Sequence, residues 1–437
     1  MEKLLSQIRN NDFHYKRVVL YYVLLIGLFF LVLRPTGGIS SPIRITLLVM
    51  ALLPTLQNSR HLPFFMTCLV TISMHVFSPI FPTMPIFYFL IAFSLVFFNG
   101  GWNAPNYKAL GIFLMFLIFD IGFDDFPDHI LWWLIAILIA DFVKDKKDIC
   151  NLMMAFILTS FVLSVLFLLY RDYFVMNYYL RGGVTLERFS WTNTNLFGAI
   201  ISAGATIAVA YLTRLIQIPL RRFPITISII TIILSFSTLV INASRGAFIA
   251  FIIPSALMFL FSKTRIFYKV MIFIVVLFII YIMFFSTDVS NLLLTRLQEE
   301  SFETGGSRTE IWKAKLGLFL NDYGFFSHLF GIGYKGSVNL AWNISTHNDF
   351  LTAFIGYGIL GLVLIFMVIL YPFVLASQRV KKTVLCLTAY MVIECFVLEP
   401  IFRGYLFFLM FYIFTLKYVI IGTKEYEKET VVYITNF

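Results

Sequence analysis

The chain has 437 residues, of which 60% are hydrophobic and only 13% are charged, and its formal net charge is +10. This composition excludes a soluble core and predicts an integral membrane protein surrounded by membrane lipids. Lys and Arg occur mostly in short segments between apolar runs, where such residues act as orientation signals, so the positive charge does not indicate nucleic-acid binding.

The apolar runs predict an all-α polytopic integral membrane protein that forms a single transmembrane domain over residues 1–437. Several early runs are shorter than the roughly 20 residues that a spanning helix needs, so we expect 12 to 14 transmembrane helices. The runs lie near residues 18–33, 43–57, 62–81, 85–98, 109–121, 130–143, 150–170, 196–213, 224–241, 246–262, 267–286, 347–376, 383–398 and 402–421.

Basic residues alternate between the loops in a regular way. If residues 1–17 are cytoplasmic, the basic loops near residues 144–147, 214–222, 263–269 and 379–382 all lie on the same side. The positive-inside rule then places both termini in the cytoplasm. Residues 287–346 form one large loop on the outer side, where we expect short amphipathic helices.

An acidic turn at Asp124–His129 also falls on the outer side. It has enough oxygen ligands for a divalent cation, but no second acidic cluster faces that side. We therefore interpret it as a solvated turn and predict no metal site.

Arg245 lies in the sequence Asn242–Gly246, which joins two apolar runs with almost no loop. Its side chain is therefore expected at the membrane face, at the start of the next helix. Helix N-termini attract phosphate through free N–H groups and the helix dipole, which favours an anion site. The alternative is an arginine that only anchors the helix end.

Residues 307–310 have the form of a capping box and predict a helix of about three turns, through Leu320. Arg308, Trp312, Lys315 and Phe319 share one side of this helix, which we expect on the membrane surface. The following Gly331–Gly333 turn is too common a pattern to indicate a function by itself.

His347 belongs to a second capping-box pattern at residues 346–349, which predicts that it lies in the first turn of the next apolar helix. A helix N-terminus and neighbouring arginines both disfavour the imidazolium, so the ring would stay neutral and able to accept a proton. The alternative is a histidine with a structural hydrogen bond.

Two glutamates lie in or beside the run at residues 383–398, where an ionisable group indicates a function. Glu399 precedes Arg403 by four residues, which fits either an ion pair across Pro400 or contacts with substrate. Glu394 could serve as a coupling site in a membrane transporter, the alternative class of protein. A transporter predicts broken helices in two related halves, and the sequence shows no such symmetry.

Four sequence pieces resemble the O-antigen ligase/polymerase superfamily of bacterial polytopic membrane glycosyltransferases. They read N-A-S-R-G-A-F at 242–248, G-S-R-T-E-I-W at 306–312, G-I-G-Y at 331–334 and H-N-D-F-L-T-A-F-I-G-Y-G-I-L-G at 347–361. Their order and expected side of the membrane fit that family, and the resemblance extends over roughly residues 190–420.

The resemblance implies inverting glycosyl transfer, without metal or cofactor, at the periplasmic face of the bacterial inner membrane. The donor would be a glycan on undecaprenyl pyrophosphate, bound by Arg245 and Arg308. His347 would be the catalytic base that deprotonates a hydroxyl of the acceptor sugar. Further possible substrate-binding residues are Arg188, Asn348, Glu399 and Arg403.

Two acceptors fit the resemblance. A polymerase joins one lipid-linked repeat unit to another and makes O-antigen or capsule chains, whereas a ligase transfers the finished chain to lipid A-core. The 287–346 loop is compact, with little room for an added acceptor-docking insert, which favours the polymerase. A related lipid-linked cell-wall glycosyltransferase would share the chemistry but not this Arg/Arg/His arrangement.

Overall fold

The computed structural model describes residues 62–65, 67, 111, 115, 118, 129–169, 194–216, 222–241, 244–263, 307–403 and 405–435. These residues form helices, and no strand occurs among them. In chain order the helices are α1 (Leu62–Phe65), α2 (His129–Ala140), α3 (Lys146–Leu169), α4 (Thr194–Leu212), α5 (Arg222–Ile241), α6 (Arg245–Phe261), α7 (Ser307–Asp322), α8 (Phe325–Phe330), α9 (Tyr334–Asn339), α10 (Asp349–Leu375), α11 (Lys381–Val397) and α12 (Leu406–Thr435).

Within the described ranges, four helices are long and apolar enough to cross a membrane, namely α3, α4, α5 and α10. Shorter apolar helices lie within α6 and α12. Each coincides with an apolar run identified in the sequence, which confirms an all-helical, multi-pass membrane protein. The runs before residue 129 and the run at 267–286 lie mostly outside the described residues, so the count of 12 to 14 and the location of the termini stay predictions.

Small residues allow α4 to pack closely against its neighbours α3 and α6. A Cβ atom on Gly204 would lie 2.3 Å from the carbonyl oxygen of Phe156, and a Cβ on Gly198 would lie 2.8 Å from the Cβ of Ala247. Helices in apolar lipid gain little from the hydrophobic effect when they associate. Van der Waals packing at this close approach is therefore a main source of the association energy. The Ser160 hydroxyl adds a bond to the Ile201 carbonyl at 3.1 Å.

Glu394 is buried where α11 meets α4. The Ser202 hydroxyl donates to its Oε1 atom at 3.2 Å, and the Tyr390 hydroxyl donates to the Ala199 carbonyl at 2.8 Å. A polar group at this depth is costly unless it has partners, and these bonds tie the two helices together. The intramembrane glutamate that motivated the transporter alternative therefore has structural contacts in this helix pair through Oε1, while its buried Oε2 atom has no hydrogen-bond partner among the described residues.

The described residues beside three of the basic loops that the sequence assigns to one side lie together at one end of the bundle. Thr383 donates to the Leu215 carbonyl at 2.8 Å, and the Tyr418 hydroxyl donates to the same carbonyl at 3.0 Å. The Lys382 ammonium lies 5.8 Å from the centre of the Phe261 ring. The loops that follow α4, α6 and α10 therefore share an end, as the charge pattern predicts.

α10 is not continuous, although the sequence predicts one uninterrupted apolar run there. Gly358 interrupts it with φ 69° and ψ −162°, a conformation essentially restricted to glycine. Because of this break, carbonyl groups just before it lose the N–H donors that a continuous helix would supply one turn further along. The segment between α8 and α9 supplies donors to two of these carbonyls. The amides of Ile332 and Gly333 donate to the carbonyls of Ile355 at 3.1 Å and Gly356 at 2.8 Å.

This contact gives the Gly331–Gly333 turn a structural role that the sequence pattern alone did not indicate. Gly331 and Gly333 have φ values of 82° and 80°. A Cβ atom on Gly331 would lie 2.1 Å from the carbonyl oxygen of Gly356. Only glycine can therefore occupy this position against the broken helix.

Replacing Gly331 with alanine is expected to destabilise the protein by at least about 1–3 kcal/mol, since it combines backbone strain with a steric clash. Thermal unfolding of the purified protein in detergent measures the effect. The control is Gly317→Ala on α7, where a Cβ meets no atom within 4 Å. That variant should gain roughly 0.5–1 kcal/mol. Equal unfolding temperatures for the two variants would contradict the assigned contact.

Candidate functional site

One side of α7 faces the protein. The Arg308 Nη1 atom donates to the Val397 carbonyl at 2.7 Å, at the C-terminal end of α11. The Trp312 indole N–H donates to the Thr346 carbonyl at 2.7 Å, and its ring packs edge-on against Phe396. The side defined by Arg308 and Trp312 in the sequence therefore binds the end of α11 and the segment before α10.

Lys315 and Phe319 continue this buried side. The Lys315 ammonium donates to the carbonyls of Ser337 and Val338, the latter at 2.9 Å, and the whole residue is 0% exposed. Burial lowers the pKa of Lys315 to about 8, although the charge of Glu399 opposes the shift. Phe319 packs edge-on against Phe354 of α10. This side of α7 therefore packs against protein, and the location of α7 at the membrane surface stays a prediction.

The N-terminus of α6 and the side chain of Arg308 both contact Val397. Arg245 is the first residue of α6, as the sequence predicts, and Gly246 follows it. A Cβ atom on Gly246 would lie 2.9 Å from Val397 Cγ2, so the α6 backbone touches the residue whose carbonyl binds Arg308. The side chain of Arg245 and the whole of Arg188 lie outside the described residues, and their roles stay predictions.

The segment before α10 differs from the predicted capping box. Asn348, and not Thr346, is the N-cap: its side-chain oxygen accepts the Leu351 amide at 3.1 Å. His347 therefore precedes the helix instead of lying in its first turn. The hydroxyl of Thr346 accepts the Asn348 amide at 3.1 Å and bonds to the Thr352 hydroxyl at 2.6 Å. These bonds fix the backbone on both sides of His347.

His347 has a φ of 53°, in the left-handed region that is costly for a residue with a side chain. Such a conformation persists only where the surrounding structure imposes it, and it is frequent at functional sites. Here the cap and the threonine bonds impose it.

Two buried carboxylates join this segment to the loop between α11 and α12. The Asp349 carboxylate accepts the amides of Ile401 at 3.0 Å and Phe402 at 3.1 Å. The Glu399 carboxylate accepts the Thr352 hydroxyl. Both acidic residues are 0% exposed, so their bonds replace the water they have lost.

Arg403 joins Asp349, Thr352 and Glu399 in one polar cluster, which we call the carboxylate clasp. Its Nε atom lies 3.3 Å from Glu399 Oε2, and its Nη2 atom donates to the Ser345 hydroxyl. The ion pair across Pro400, one of the two alternatives that the sequence left open, is therefore present. Substrate contact by these residues stays a prediction. Burial raises the pKa of Glu399, an effect opposed by the Thr352 hydrogen bond and the Arg403 charge. Burial lowers the pKa of Arg403, but Tyr405 and the Glu399 charge outweigh it, so the pKa of Arg403 is raised overall.

His347 lies near both arginines. Burial lowers the pKa of His347 to about 4, and the charges of Arg403 and then Arg308 contribute to the decrease. No hydrogen bond joins its ring to any other residue that the structure describes. A neutral imidazole in these surroundings can accept a proton from a bound molecule, and the two guanidinium groups can attract an anion beside it.

Sequence reasoning did not identify Ser345, Thr346, Thr352 and Asp349 as parts of this site. A usable indication was present, because Asp349 and Thr352 are polar residues at the start of a strongly apolar helix. Polar groups buried in such a position need partners, and those partners are the clasp.

Among the described residues, no group of three or more His, Cys, Asp and Glu side chains could hold a metal ion. The Asp124–His129 turn lies outside them apart from the backbone of its last residue. Metal independence therefore stays a prediction.

The helices and the polar end of the bundle define a class of protein, a multi-pass helical membrane protein with an anion-attracting site beside a neutral histidine. Residues 230–366 match the family model for O-antigen ligase, and this region contains Arg245, Arg308 and His347. The match confirms the resemblance to the O-antigen ligase/polymerase superfamily and supports a function of that type in lipopolysaccharide biosynthesis. No curated protein matches the chain.

The pKa of His347 can be measured by the pH dependence of its carbethoxylation, because only the neutral ring reacts. The midpoint is expected near pH 4, below the ordinary value of about 6.5. Arg308→Gln should raise the midpoint, since it removes a positive charge and leaves the Glu399–Arg403 pair intact. Peptide mass spectrometry gives the extent of reaction at His347.

The control variant is Arg379→Gln, which removes an arginine from the opposite end of the bundle and should leave the midpoint unchanged. A midpoint near 6.5 in the unaltered protein would contradict the buried, arginine-flanked position of His347.

Proposed function

We propose that the protein is an inverting glycosyltransferase that needs neither a metal ion nor a cofactor. It acts at the periplasmic face of the bacterial inner membrane. Its donor is a glycan on undecaprenyl pyrophosphate, and its acceptor is a sugar hydroxyl on a second lipid-linked repeat unit. Repeated transfer polymerises O-antigen or capsule chains.

The observation that carries this proposal is the neutral His347 beside two arginines. A sugar hydroxyl is a poor nucleophile until a positioned base removes its proton, a contribution worth about 10²–10⁴-fold in rate. An imidazole with a pKa of about 4 is unprotonated at neutral pH and available for that role. Its low basicity requires the proton transfer to accompany formation of the new glycosidic bond.

In the proposed reaction, the acceptor oxygen attacks the anomeric carbon from the face opposite the leaving group, which inverts the configuration. The bond from that carbon to the phosphate oxygen breaks, and undecaprenyl pyrophosphate leaves with the electron pair. His347 takes the hydroxyl proton. Arg245 and Arg308 are proposed to bind the pyrophosphate, because fixed guanidinium groups can match its growing negative charge without a metal.

The contacts of Arg308 support its part in this proposal. Its bond to the Val397 carbonyl fixes a flexible side chain next to the N-terminus of α6, where backbone N–H groups also favour an anion. Preorganised charges of this kind are effective because they need no rearrangement during the reaction.

Glu399 and Asn348 are proposed to contact the substrate at most indirectly, whereas Arg403 is proposed as a possible direct contact. Glu399 is 0% exposed, and the Asn348 side chain caps α10. Arg403 is 31% exposed, so this residue is the one of the three best able to reach a bound sugar or phosphate.

The polymerase is favoured over the ligase by the shape of the outer loop. Its described part, residues 307–346, folds onto the bundle as α7, α8 and α9, and this part contains no separate acceptor-docking domain. The ligase acting on lipid A-core remains the second candidate, since the family match fits both.

Reconstituted protein supplied only with the lipid-linked repeat unit is expected to make a ladder of longer lipid-linked chains, and a chelator should not change the yield. Gel separation of the labelled glycans measures the products. Arg308→Lys should lose most of the activity, because a point charge cannot reproduce bidentate phosphate contacts. Lys313→Arg, at an exposed position on the same helix, should remain active.

A ligase would make no product until lipid A-core was added. Movement of the lipid-linked glycan across the membrane without chain growth would instead support the transporter. Either result would contradict the proposed polymerase.

A further inference from the structure

The short helix α8 carries an exposed pair of aromatic side chains. Phe325 is 72% exposed and Phe326 is 76% exposed, and no residue of this six-residue helix is buried. Its sequence, FFSHLF, contains no acidic residue, lysine or arginine. Exposed neighbouring phenylalanines are unfavourable in water and indicate a contact with an apolar surface.

The position of α8 is fixed by the break in α10. Residues 331–333, which directly follow α8, donate two backbone hydrogen bonds to the carbonyls of Ile355 and Gly356. A Cβ atom on Gly358 would lie 2.3 Å from the Leu329 carbonyl group, so the backbones of α8 and α10 touch there. The C-terminal end of α8 is therefore held beside residues 355–358, and the exposed pair lies at the other end of the same short helix.

The surface of α10 changes character at this same level. After Gly358 it exposes a continuous apolar stripe that includes Ile359 at 50%, Val363 at 49% and Met367 at 53%. Before Gly358, between Asp349 and Tyr357, no large hydrophobic side chain of α10 is exposed. The stripe belongs to a helix long and apolar enough to span the membrane, so lipid covers it.

We propose that α8 is a membrane-inserted wedge, whose Phe325 and Phe326 side chains lie among the lipid acyl chains of the outer leaflet. The aromatic pair extends the lipid-facing stripe of α10 sideways at the level of Gly358. The occupant of this surface is bilayer phospholipid, because the surface is continuous with the membrane-spanning face and carries no charge that would select a headgroup.

This position also links the membrane to the site. The turn after α8 is bonded to α10, and the N-terminal part of α10 carries the clasp residues Asp349 and Thr352. The wedge would therefore set the depth of the His347 segment relative to the lipid surface.

Photocrosslinking tests the wedge directly. The full-length protein carries p-benzoylphenylalanine in place of Phe326 and is reconstituted in liposomes of phosphatidylethanolamine and phosphatidylglycerol that contain no polyprenyl lipid. Irradiation should give a phospholipid adduct, detected by intact-protein mass spectrometry, at a yield within about twofold of the same label at Val363. The label at Asp322, an exposed polar position three residues before Phe325, should give at least about fivefold less.

Three outcomes would overturn the wedge. A yield at position 326 as low as that at position 322 would place the pair in water. A protein–protein adduct would assign the surface to a second copy of the chain. An adduct that formed only after undecaprenyl pyrophosphate was added would assign it to the donor lipid. Size-exclusion chromatography of each labelled variant before reconstitution recognises a misfolded preparation, so a failure of the folded position-326 variant contradicts the wedge.

Discussion

Burial of two carboxylates is the constraint on which the polar end of the molecule depends. Asp349 and Glu399 are both 0% exposed, so each needs hydrogen-bond partners from other protein groups. The Asp349 carboxyl group accepts hydrogen bonds from the amides of residues 401 and 402. The Glu399 carboxyl group accepts one from the Thr352 hydroxyl and forms an ion pair with Arg403. These bonds join the start of α10 to the loop between α11 and α12, two segments about 50 residues apart in the chain.

The clasp also determines the chemistry available to His347. It fixes Thr352, which bonds to Thr346 on one side of the histidine, and it holds Arg403 so that this arginine bonds Ser345. Burial is the main reason that the pKa of His347 is lowered and the ring stays neutral, and the charges of Arg403 and then Arg308 add to the effect. The charges that favour an anion therefore also help to maintain a proton acceptor beside it, which is the combination that the proposed transfer from a pyrophosphate requires.

The sequence predicted the helices better than it predicted the contacts between them. Apolar runs indicated α3 to α6 and α10 to α12 because a membrane demands long stretches of apolar residues. The four-residue separation of Glu399 and Arg403 indicated an ion pair only as one of two alternatives. The break at Gly358 was missed, since a glycine in an apolar run gives no local indication of φ. The clasp depends on partners distant in sequence, so the polar residues at the start of α10 indicate that partners exist but not which ones. The cap at Asn348 is a local contact with the Leu351 amide, and the capping-box pattern assigned it to the wrong residue.

The rate of glycan transfer by His347→Asn tests the central claim most directly, because asparagine can hydrogen-bond but cannot act as a base at neutral pH. We expect a folded variant that binds the lipid-linked donor normally and transfers about 10²–10⁴-fold more slowly. In the unaltered protein, transfer should decline only as the pH falls towards about 4, where the imidazole becomes protonated. A stable His347→Asn protein that polymerised the repeat unit at nearly the normal rate would contradict the account.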